Sequence, residues 1–177
     1  MPKQPIVKTP HSVLRKVARE IPPEEIPSRR IQRLISDMKE TLAQAADGVG
    51  LAAPQVGKSL RLFVVSEEAL AIDQGKTHEA SRKKKGWKIF VFINPVLTKR
   101  SRKRHEMAEG CLSVPGIFGV VPRSEKVFLE WYDENGARHA RGFTKFFARV
   151  IQHEVDHLDG TLITAAATKV IRASETR

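Results

Sequence analysis

The feature that most constrains the fold is a segment near the C-terminal end that combines helical periodicity with two histidines. Apolar side chains recur at helical spacing over residues 144–157, and Gly160 follows as a stop signal. Because residues four apart lie on one face of a helix, His153 and His157 can direct their imidazole nitrogens at one point. The pattern therefore predicts a helix whose two histidines could share a metal ion.

Glu154 belongs to the same segment and is displaced around the helix axis from the two histidines. A carboxylate placed in this way is close to a metal ion without having to bind it, so it can accept a proton from water. The HExxH pattern of residues 153–157 also arises by chance. An exposed amphipathic helix with two incidental histidines is the alternative interpretation.

The rest of the chain favours one further helix and several strands. Ser28 can cap a helix over residues 28–47, which Gly48 follows as a stop signal. Strand-like runs cover residues 60–65, 89–93, 127–132 and 137–142, the last two joined by the turn 133–136. Residues 164–177 predict a short helix or a frayed end. This order predicts an α+β fold of mostly antiparallel sheets packed around a central C-terminal helix that carries HExxH, with an N-terminal helix.

The length of 177 residues predicts a single domain over residues 1–177. The longest apolar runs are far shorter than the ~20 residues that a membrane-spanning helix needs. The first five residues also lack the apolar core of a secretory signal. We therefore expect a cytoplasmic protein that makes no membrane contact.

Positive charge is concentrated in one part of the chain. The sequence has 31 Lys and Arg against 20 Asp and Glu, a formal net charge of +11. Eleven of the basic residues and one acidic residue lie between Lys76 and Arg104, with clusters at residues 82–85 and 99–104. Between the clusters, residues 88–95 predict a buried strand ended by a turn. A solvated loop with a charged edge strand would account for the clusters, and contact with an anionic partner is the alternative.

Cys111 is the single cysteine, which excludes an intramolecular disulfide. It lies in the segment Glu109–Ser113 directly after Gly110, and a glycine allows an unusual backbone turn there. A hydrolytic metal site needs three protein ligands and an open position, and a thiolate suits Zn²⁺ or Fe²⁺. Cys111 is therefore a candidate third ligand, and a small buried residue is the alternative interpretation.

Small residues dominate the segment Gly48–Gln55, so its backbone can approach another chain or a substrate closely. Gln55 adds an amide donor that stays neutral at any working pH. A tight connection between a helix and a strand is the alternative for this segment. A phosphate-binding loop is not indicated, because no Gly-Lys-Ser/Thr follows.

Together, these three segments resemble the peptide deformylase family, which is marked by GxGxAAxQ, EGCLS and HExxH segments in this order. All three are complete here, at residues 48–55, 109–113 and 153–157. Residues 6–16 and the extended helix motif at residues 153–160 are also similar to the family. The resemblance covers nearly the whole chain.

The resemblance implies a metal-dependent hydrolase that removes the N-terminal formyl group from N-formylmethionyl nascent polypeptides and releases formate. It assigns Cys111, His153 and His157 to one divalent metal ion, with Fe²⁺ expected and Zn²⁺ or Ni²⁺ as alternatives. Glu154 would be the general base and then the general acid. The ligand set itself suits Fe²⁺ and Zn²⁺ alike.

The resemblance also implies how the formylated peptide is held. The Gln55 side chain and the Leu112 backbone N–H would stabilise the oxyanion that forms at the formyl carbon. Backbone groups of Val49, Gly50 and Gly110 would align the peptide as an added strand.

The methionine side chain of the substrate would enter an apolar pocket near Val49, Phe146 and Val150. At the rim of that pocket the chain has Phe118, where some family members have an arginine, and this could alter side-chain preference. The basic stretch between Arg61 and Asn94 is a second departure from the minimal family pattern.

A deformylase meets its substrate at the ribosome, so residues 82–85 and 99–104 could contact ribosomal RNA. Two other functions remain as alternatives. A metallopeptidase acting on internal peptide bonds would need a His or Glu ligand after His157, where Glu175 alone follows. An RNA-associated protein with a structural metal site would need a fourth protein ligand, and the sequence has no second cysteine.

Overall fold

The computed structural model describes residues 4–74 and 86–173, and it arranges their strands in two antiparallel sheets. The helices are α1 (Arg29–Gln44), α2 (Glu68–Asp73), α3 (Lys145–Leu158) and α4 (Ile163–Ala166). The strands are β1 (Gly50–Ala52), β2 (Leu62–Ser66), β3 (Ile89–Arg100), β4 (Arg104–Glu109), β5 (Ile117–Ser124), β6 (Lys126–Tyr132), β7 (Arg138–Thr144) and β8 (Lys169–Arg172). Short 3₁₀ turns cover Ser12–Arg15, Pro23–Glu25 and Ala53–Val56.

One sheet has the strand order β1-β2-β3-β6-β7, and the other has the order β4-β5-β8. The neighbouring strands in both sheets are antiparallel. At the predicted turn between β6 and β7, the Asp133 carboxylate accepts hydrogen bonds from the N–H groups of Asn135 and Ala137 at 2.9 and 3.0 Å. Gly136 supplies the positive φ of +80° that this turn requires. The predicted α+β fold with mostly antiparallel sheets is confirmed.

Strand β2 separates two helices, and its side chains alternate between them. Leu62 and Val64 belong to the apolar cluster that contains the buried side chains of α1. Phe63 and Val65 belong to the cluster that contains the buried side chains of α3. Because successive strand residues point to opposite faces, a strand with all five residues buried can support a helix on each side.

The N-terminal helix begins as predicted and ends earlier than predicted. The Ser28 hydroxyl accepts a hydrogen bond from the Ile31 N–H at 3.4 Å, which caps α1. The helix ends at Gln44 rather than at residue 47, because Ala45 has extended backbone with ψ of 123°. The chain there turns away from the helix axis toward β1.

Helix α3 carries the HExxH segment, and its first turn is capped by another helix. The Thr144 side chain makes no capping bond. Instead the carboxylate of Asp73, the last residue of α2, accepts from the N–H groups of Phe146 and Phe147 at 2.8 and 3.3 Å. A carboxylate at this end satisfies free N–H donors and complements the helix dipole. The predicted C-terminal helix is confirmed, packed against both sheets.

Strand β3 does not end at the predicted turn. It passes through Pro95 and continues to Arg100. Asn94 has a φ of +48°, and its side chain accepts from the N–H and donates to the carbonyl of Ile21 at 2.9 and 2.7 Å. The register against β6 shifts at this point. The predicted stop is therefore a bend within one longer strand.

The sequence pattern does not reveal β4, β5 or β8. For the stretch predicted as a short helix or a frayed end, α4 covers its first residues, but Lys169–Arg172 pair with β5. The prediction is wrong for these four residues, because their backbone groups find partners on a strand distant in sequence. Residues 99–104 form the end of β3, the connection to β4 and the first residue of β4, whereas residues 82–85 lie outside the described residues. None of the described helices is both long and apolar enough to cross a membrane.

Candidate active site

Three side chains with metal-binding atoms meet where α3 faces the segment after β4. Among the described residues, the ligand atoms of Cys111, His153 and His157 all lie within 4.8 Å of one another. We call these three residues the Cys–His–His cluster. Cys111 Sγ lies 3.2 Å from His157 Nε2, and the centroids of the two imidazole rings are 5.0 Å apart. The four-residue spacing of the histidines on one helix face produces this approach.

Glu109, the last residue of β4, orients the His153 ring. Its Oε2 atom lies 3.0 Å from His153 Nδ1, which leaves Nε2 of that ring for a metal ion. A carboxylate bonded to one imidazole nitrogen fixes the tautomer and the direction of a metal-binding histidine. Sequence reasoning placed Glu109 inside a motif and gave it no role.

Two buried arginines hold the Glu109 carboxylate. Arg123 donates from Nε and Nη2 to its two oxygens at 3.0 and 2.9 Å, and Arg149 donates from Nη1 at 2.6 Å. Arg123 Nη1 also donates to Asp156 at 2.5 Å. Burial raises the pKa of Glu109, but hydrogen bonds from His153 and Arg123 outweigh burial and lower this pKa to about 2. Glu109 therefore stays ionised near neutral pH and supports the site.

The donor set of the Cys–His–His cluster fits a divalent metal ion. Burial lowers the pKa of His153, but its hydrogen bonds to Cys111 and Glu109 outweigh burial and raise this pKa to about 10. The thiol and the carboxylate around His153 thus stabilise a positive charge, and a metal ion would supply that charge in place of the proton. Burial, followed by the charge of His153, holds the pKa of His157 well below its usual range, which favours the neutral imidazole that binds metals. One thiolate and two imidazoles suit Zn²⁺ or Fe²⁺.

Glu154 lies beside the cluster and has unused hydrogen-bonding capacity. Its side chain is buried, and Oε2 has no hydrogen-bond partner among the described residues. Burial is the main cause that raises the pKa of Glu154 to about 7. A Cβ atom on Gly50 would stand only 2.8 Å from the carboxyl carbon of Glu154. Glycine at position 50 therefore leaves the space that this carboxylate occupies.

The Gln55 amide is fixed so that its nitrogen faces the cluster. Gln55 Oε1 accepts from the Ala52 N–H at 2.8 Å. Its Nε2 group consequently points to Cys111 Sγ at 3.7 Å and to Ser113 Oγ at 3.3 Å. The neutral amide thus presents a donor beside the thiol, and sequence reasoning did not find Ser113 as its partner.

A cavity of about 730 Å³ opens in front of these groups. Its walls include eight of the nine residues predicted for the site: Val49, Gly50, Gln55, Gly110, Cys111, Leu112, His153 and Glu154. His157 lies behind them and is buried. The residues predicted to surround a methionine side chain, Val49, Phe146 and Val150, line the same cavity, together with Phe118. The structure therefore brings the predicted residues to one place, and Glu109, Arg123, Arg149 and Ser113 are the additions.

Comparison with known proteins gives one consistent result. The family model described as polypeptide deformylase matches residues 3–172. Peptide deformylase 1A, chloroplastic/mitochondrial, of Arabidopsis thaliana is 41% identical over 158 residues, which are 89% of this chain and 58% of that protein. The peptide deformylase of Flavobacterium psychrophilum is 39% identical over 164 residues, covering 93% of this chain and 82% of that protein. The chain thus spans just over half the length of the plant relative.

Solved structures extend the similarity to the fold. The Met-Ala-Ser-bound class I type b peptide deformylase of Acinetobacter baumannii matches with a TM-score of 0.79 and 31% identity, covering 92% of this chain and 97% of that chain. The peptide deformylase of Synechococcus elongatus in complex with actinonin matches with a TM-score of 0.77 and 31% identity, covering 96% and 81%.

Proposed function

The chain belongs to the peptide deformylase family, and from that premise we propose that it removes the N-terminal formyl group from N-formylmethionyl nascent polypeptides and releases formate. The observation that carries the proposal is the meeting of three groups in one cavity. These groups are the Cys–His–His cluster, the buried carboxyl group of Glu154 and the oriented Gln55 amide. They are the parts that hydrolysis of an amide needs.

Cys111, His153 and His157 are proposed to hold one divalent metal ion. Bound there, the ion would polarise the formyl carbonyl and lower the pKa of water. Fe²⁺ is the proposed ion, with Zn²⁺ or Ni²⁺ as alternatives, because the thiolate and imidazole donors accept all of them.

Glu154 is proposed to move the proton. Its carboxylate accepts a proton from the attacking water and later donates it to the departing amine nitrogen. A pKa raised by burial to about 7 suits both roles near neutral pH, since the group can then hold and release a proton at small cost.

Gln55 and Leu112 are proposed to receive the oxyanion. The Gln55 Nε2 group and the Leu112 backbone N–H would donate hydrogen bonds to the oxygen of the tetrahedral intermediate. A positioned donor of this kind is worth ~3 kcal/mol of transition-state stabilisation. The hydrogen bond from Ala52 to Gln55 Oε1 supports this role, because it fixes the amide before substrate arrives.

The formylated peptide is proposed to bind as an added strand. Strands β1 and β4 are at the edges of their respective sheets, and Gly50 of β1 and Gly110 directly after β4 line the cavity. Backbone groups of Val49, Gly50 and Gly110 would pair with the peptide backbone. The apolar side chains of Val49, Phe146 and Val150 would surround the methionine side chain.

We propose that residues 1–177 form a single catalytic domain. Helix α3 connects the two sheets, because its apolar side chains pack in one core with those of the five-stranded sheet. Its Arg149 side chain also donates to the Val121 carbonyl of β5 at 2.9 Å.

We propose the cytoplasm of a bacterial-type cell as its compartment, since a thiol ligand at Cys111 has to stay reduced. The bacterial relative is consistent with this proposal.

Ribosome contact is proposed for the exposed basic residues 99–104. The Lys103 side chain is 69% exposed although it pairs with Glu125, and Arg102 and Arg104 are also exposed. Phosphate contacts of this kind weaken as salt rises. A variant with the five basic side chains changed to Gln should bind ribosomes more weakly and with less salt dependence, and should release formate from short formylated peptides as before. Unchanged binding would leave these residues as a solvated surface.

The experiment that tests the function is a formate assay on the purified protein loaded with Fe²⁺ without air. Formyl-Met-Ala-Ser should yield formate and the free amine in equal amounts, whereas acetyl-Met-Ala-Ser, the matched control, should react far more slowly. A metal-loaded protein that releases no formate would contradict the proposal. New amines without formate would indicate cleavage of an internal peptide bond instead.

A further inference from the structure

The two groups proposed to receive the oxyanion come from different sheets. Gln55 follows β1 of the five-stranded sheet, and Leu112 follows β4 of the three-stranded sheet. Within the described strands, no ladder connects one sheet to the other. The distance between the two donors therefore depends on contacts made outside the sheets.

The N-terminal segment Val7–Thr9 makes such contacts to both sides. The Val7 N–H donates to the Gln55 carbonyl at 2.8 Å, and the Thr9 N–H donates to the Ser113 carbonyl at 3.0 Å. Between them, the Lys8 ammonium group donates to the Leu112 carbonyl. Three consecutive residues thus connect the Gln55 turn to the segment that follows Cys111.

Lys8 is the side chain of this segment that reaches the cavity. It is exposed and forms part of the cavity wall. A hydrogen bond from an ammonium group to a carbonyl is stronger than one between neutral groups. Leu112 is therefore restrained at two points. Cys111 of the cluster directly precedes it, and Lys8 donates a hydrogen bond to the Leu112 carbonyl. This arrangement limits how far the Leu112 N–H can turn away from a developing oxyanion.

We propose that Lys8 is a positioning residue for the reaction, because it fixes the backbone of Leu112 relative to Gln55. The inference rests on the proposed function and adds a residue to it. An interaction that orients a transition-state donor changes kcat more than KM. A lysine that bound the substrate equally well in the ground state and in the transition state would change KM instead.

Lys8→Met tests the inference, with Lys8→Arg as the conservative variant and Lys16→Met as the matched control. Lys16 is also exposed and lies in the same part of the chain. We expect Lys8→Met to lower kcat by about tenfold with little change in KM, metal content or melting temperature. Lys8→Arg should restore most of kcat, because it keeps a charged donor, and Lys16→Met should match the unmodified protein.

A second readout does not depend on turnover. In the Zn²⁺-loaded protein, a hydrogen bond to the Leu112 carbonyl affects the amide resonance of Ser113, which shares that peptide group. Lys8→Met should shift the Ser113 amide signal, and Lys16→Met should not. An unmoved Ser113 signal would contradict the contact.

The possible results separate this inference from the proposed function. If the unmodified protein releases no formate, the proposed function is wrong. If the unmodified protein is active and Lys8→Met has the same kcat, only the inference is overturned. A rise in KM alone would assign Lys8 to substrate binding, and a parallel loss of metal and melting temperature would make its role structural. Both of these results would also overturn it.

Discussion

Glu109 and Glu154 are both buried beside the Cys–His–His cluster, yet their surroundings differ. Glu109 is bonded to His153, Arg123 and Arg149, and its pKa falls to about 2. Glu154 has an oxygen without a hydrogen-bond partner among the described residues, and its pKa rises to about 7. Burial raises the pKa of both carboxyl groups, so the cationic donors decide the difference.

The difference distinguishes a carboxylate that stabilises the site from a carboxylate that is suited to proton transfer. A buried carboxylate with every lone pair used contributes to a stable arrangement, and its proton affinity is too low for proton transfer near neutral pH. A buried carboxylate with free capacity destabilises the fold, because its charge is poorly solvated. That same property suits the proton acceptor that we propose Glu154 to be.

The largest effect is expected from Glu154→Gln, which keeps the shape of the side chain and removes the proposed proton acceptor. We expect kcat for formate release to fall by about 10³-fold at unchanged metal content. The free energy of unfolding should stay the same or rise, because a poorly solvated carboxyl group is gone. Glu20→Gln, at an exposed position, is the control. If Glu154→Gln retains full activity, the proton must move through another group.

Glu109→Gln should lower stability and metal affinity, whereas Glu154→Gln should lower kcat. Glu109→Gln leaves Arg123 and Arg149 buried with a weaker partner, so the free energy of unfolding should fall by about 3 kcal/mol or more. Metal affinity should fall by about 10-fold to 100-fold, because His153 loses its orienting carboxylate. Urea unfolding and competition with a chelator measure the two effects. Normal stability with a lowered kcat at full metal occupancy would place Glu109 in the chemistry instead.

The pH dependence of stability distinguishes Glu109 from Glu154, because the two carboxyl groups change the free energy of unfolding in opposite directions as the pH rises. The pKa of Glu109 is lowered on folding from 4.5 to about 2, so its contribution is present above pH 4.5 and is lost as the pH falls toward 2. This contribution is on the order of 3 kcal/mol. The pKa of Glu154 is raised from 4.5 to about 7, so folding becomes less favourable as the pH rises through that range.

Urea unfolding without added metal measures both contributions. The stability difference between the unmodified protein and Glu109→Gln should shrink below pH 4.5, and Glu154→Gln should gain relative stability between pH 4.5 and about 7. If the free energy of unfolding changes with pH in the same way in all three proteins, the distinction between the two carboxyl groups is wrong.

The smallest effect is expected at a third carboxylate, Asp73, which caps the first turn of the same helix. Asp73→Ala removes the acceptor for the Phe146 and Phe147 N–H groups. We expect the free energy of unfolding to fall by about 1 kcal/mol, with little change in kcat. Glu24→Ala, at an exposed position, is the control. A large loss of kcat would show that the start of α3 shapes the substrate pocket more strongly than a cap does.

The cavity residues could be predicted because their signals are local. The spacing of His153 and His157 and the single thiol of Cys111 each lie within a few residues of sequence. The partners of Glu109 could not be predicted in this way. Arg123 and Arg149 stand 14 and 40 residues away, and only the pairing of β4 with β5 and the packing of α3 bring them to the carboxylate.

The missed strands have the same explanation. All four residues of β8 are exposed, so no alternation of apolar and polar side chains reveals a strand. Its backbone is extended because β5 offers partners, with Ile171 opposite Phe118. In the same way, the contact from Lys8 to Leu112 spans 104 residues of chain and leaves no pattern in the sequence.

The most direct test of the central claim follows the ionisation of the two carboxyl groups in one sample. Protein labelled with ¹³C at the glutamate carboxyl carbons is titrated, and Glu109→Gln and Glu154→Gln assign the two signals. We expect Glu154 to titrate above the ordinary glutamate pKa of 4.5 and Glu109 to stay ionised until well below it. Two carboxyl groups that titrate together near 4.5, or in the reverse order, would contradict the difference proposed between Glu109 and Glu154.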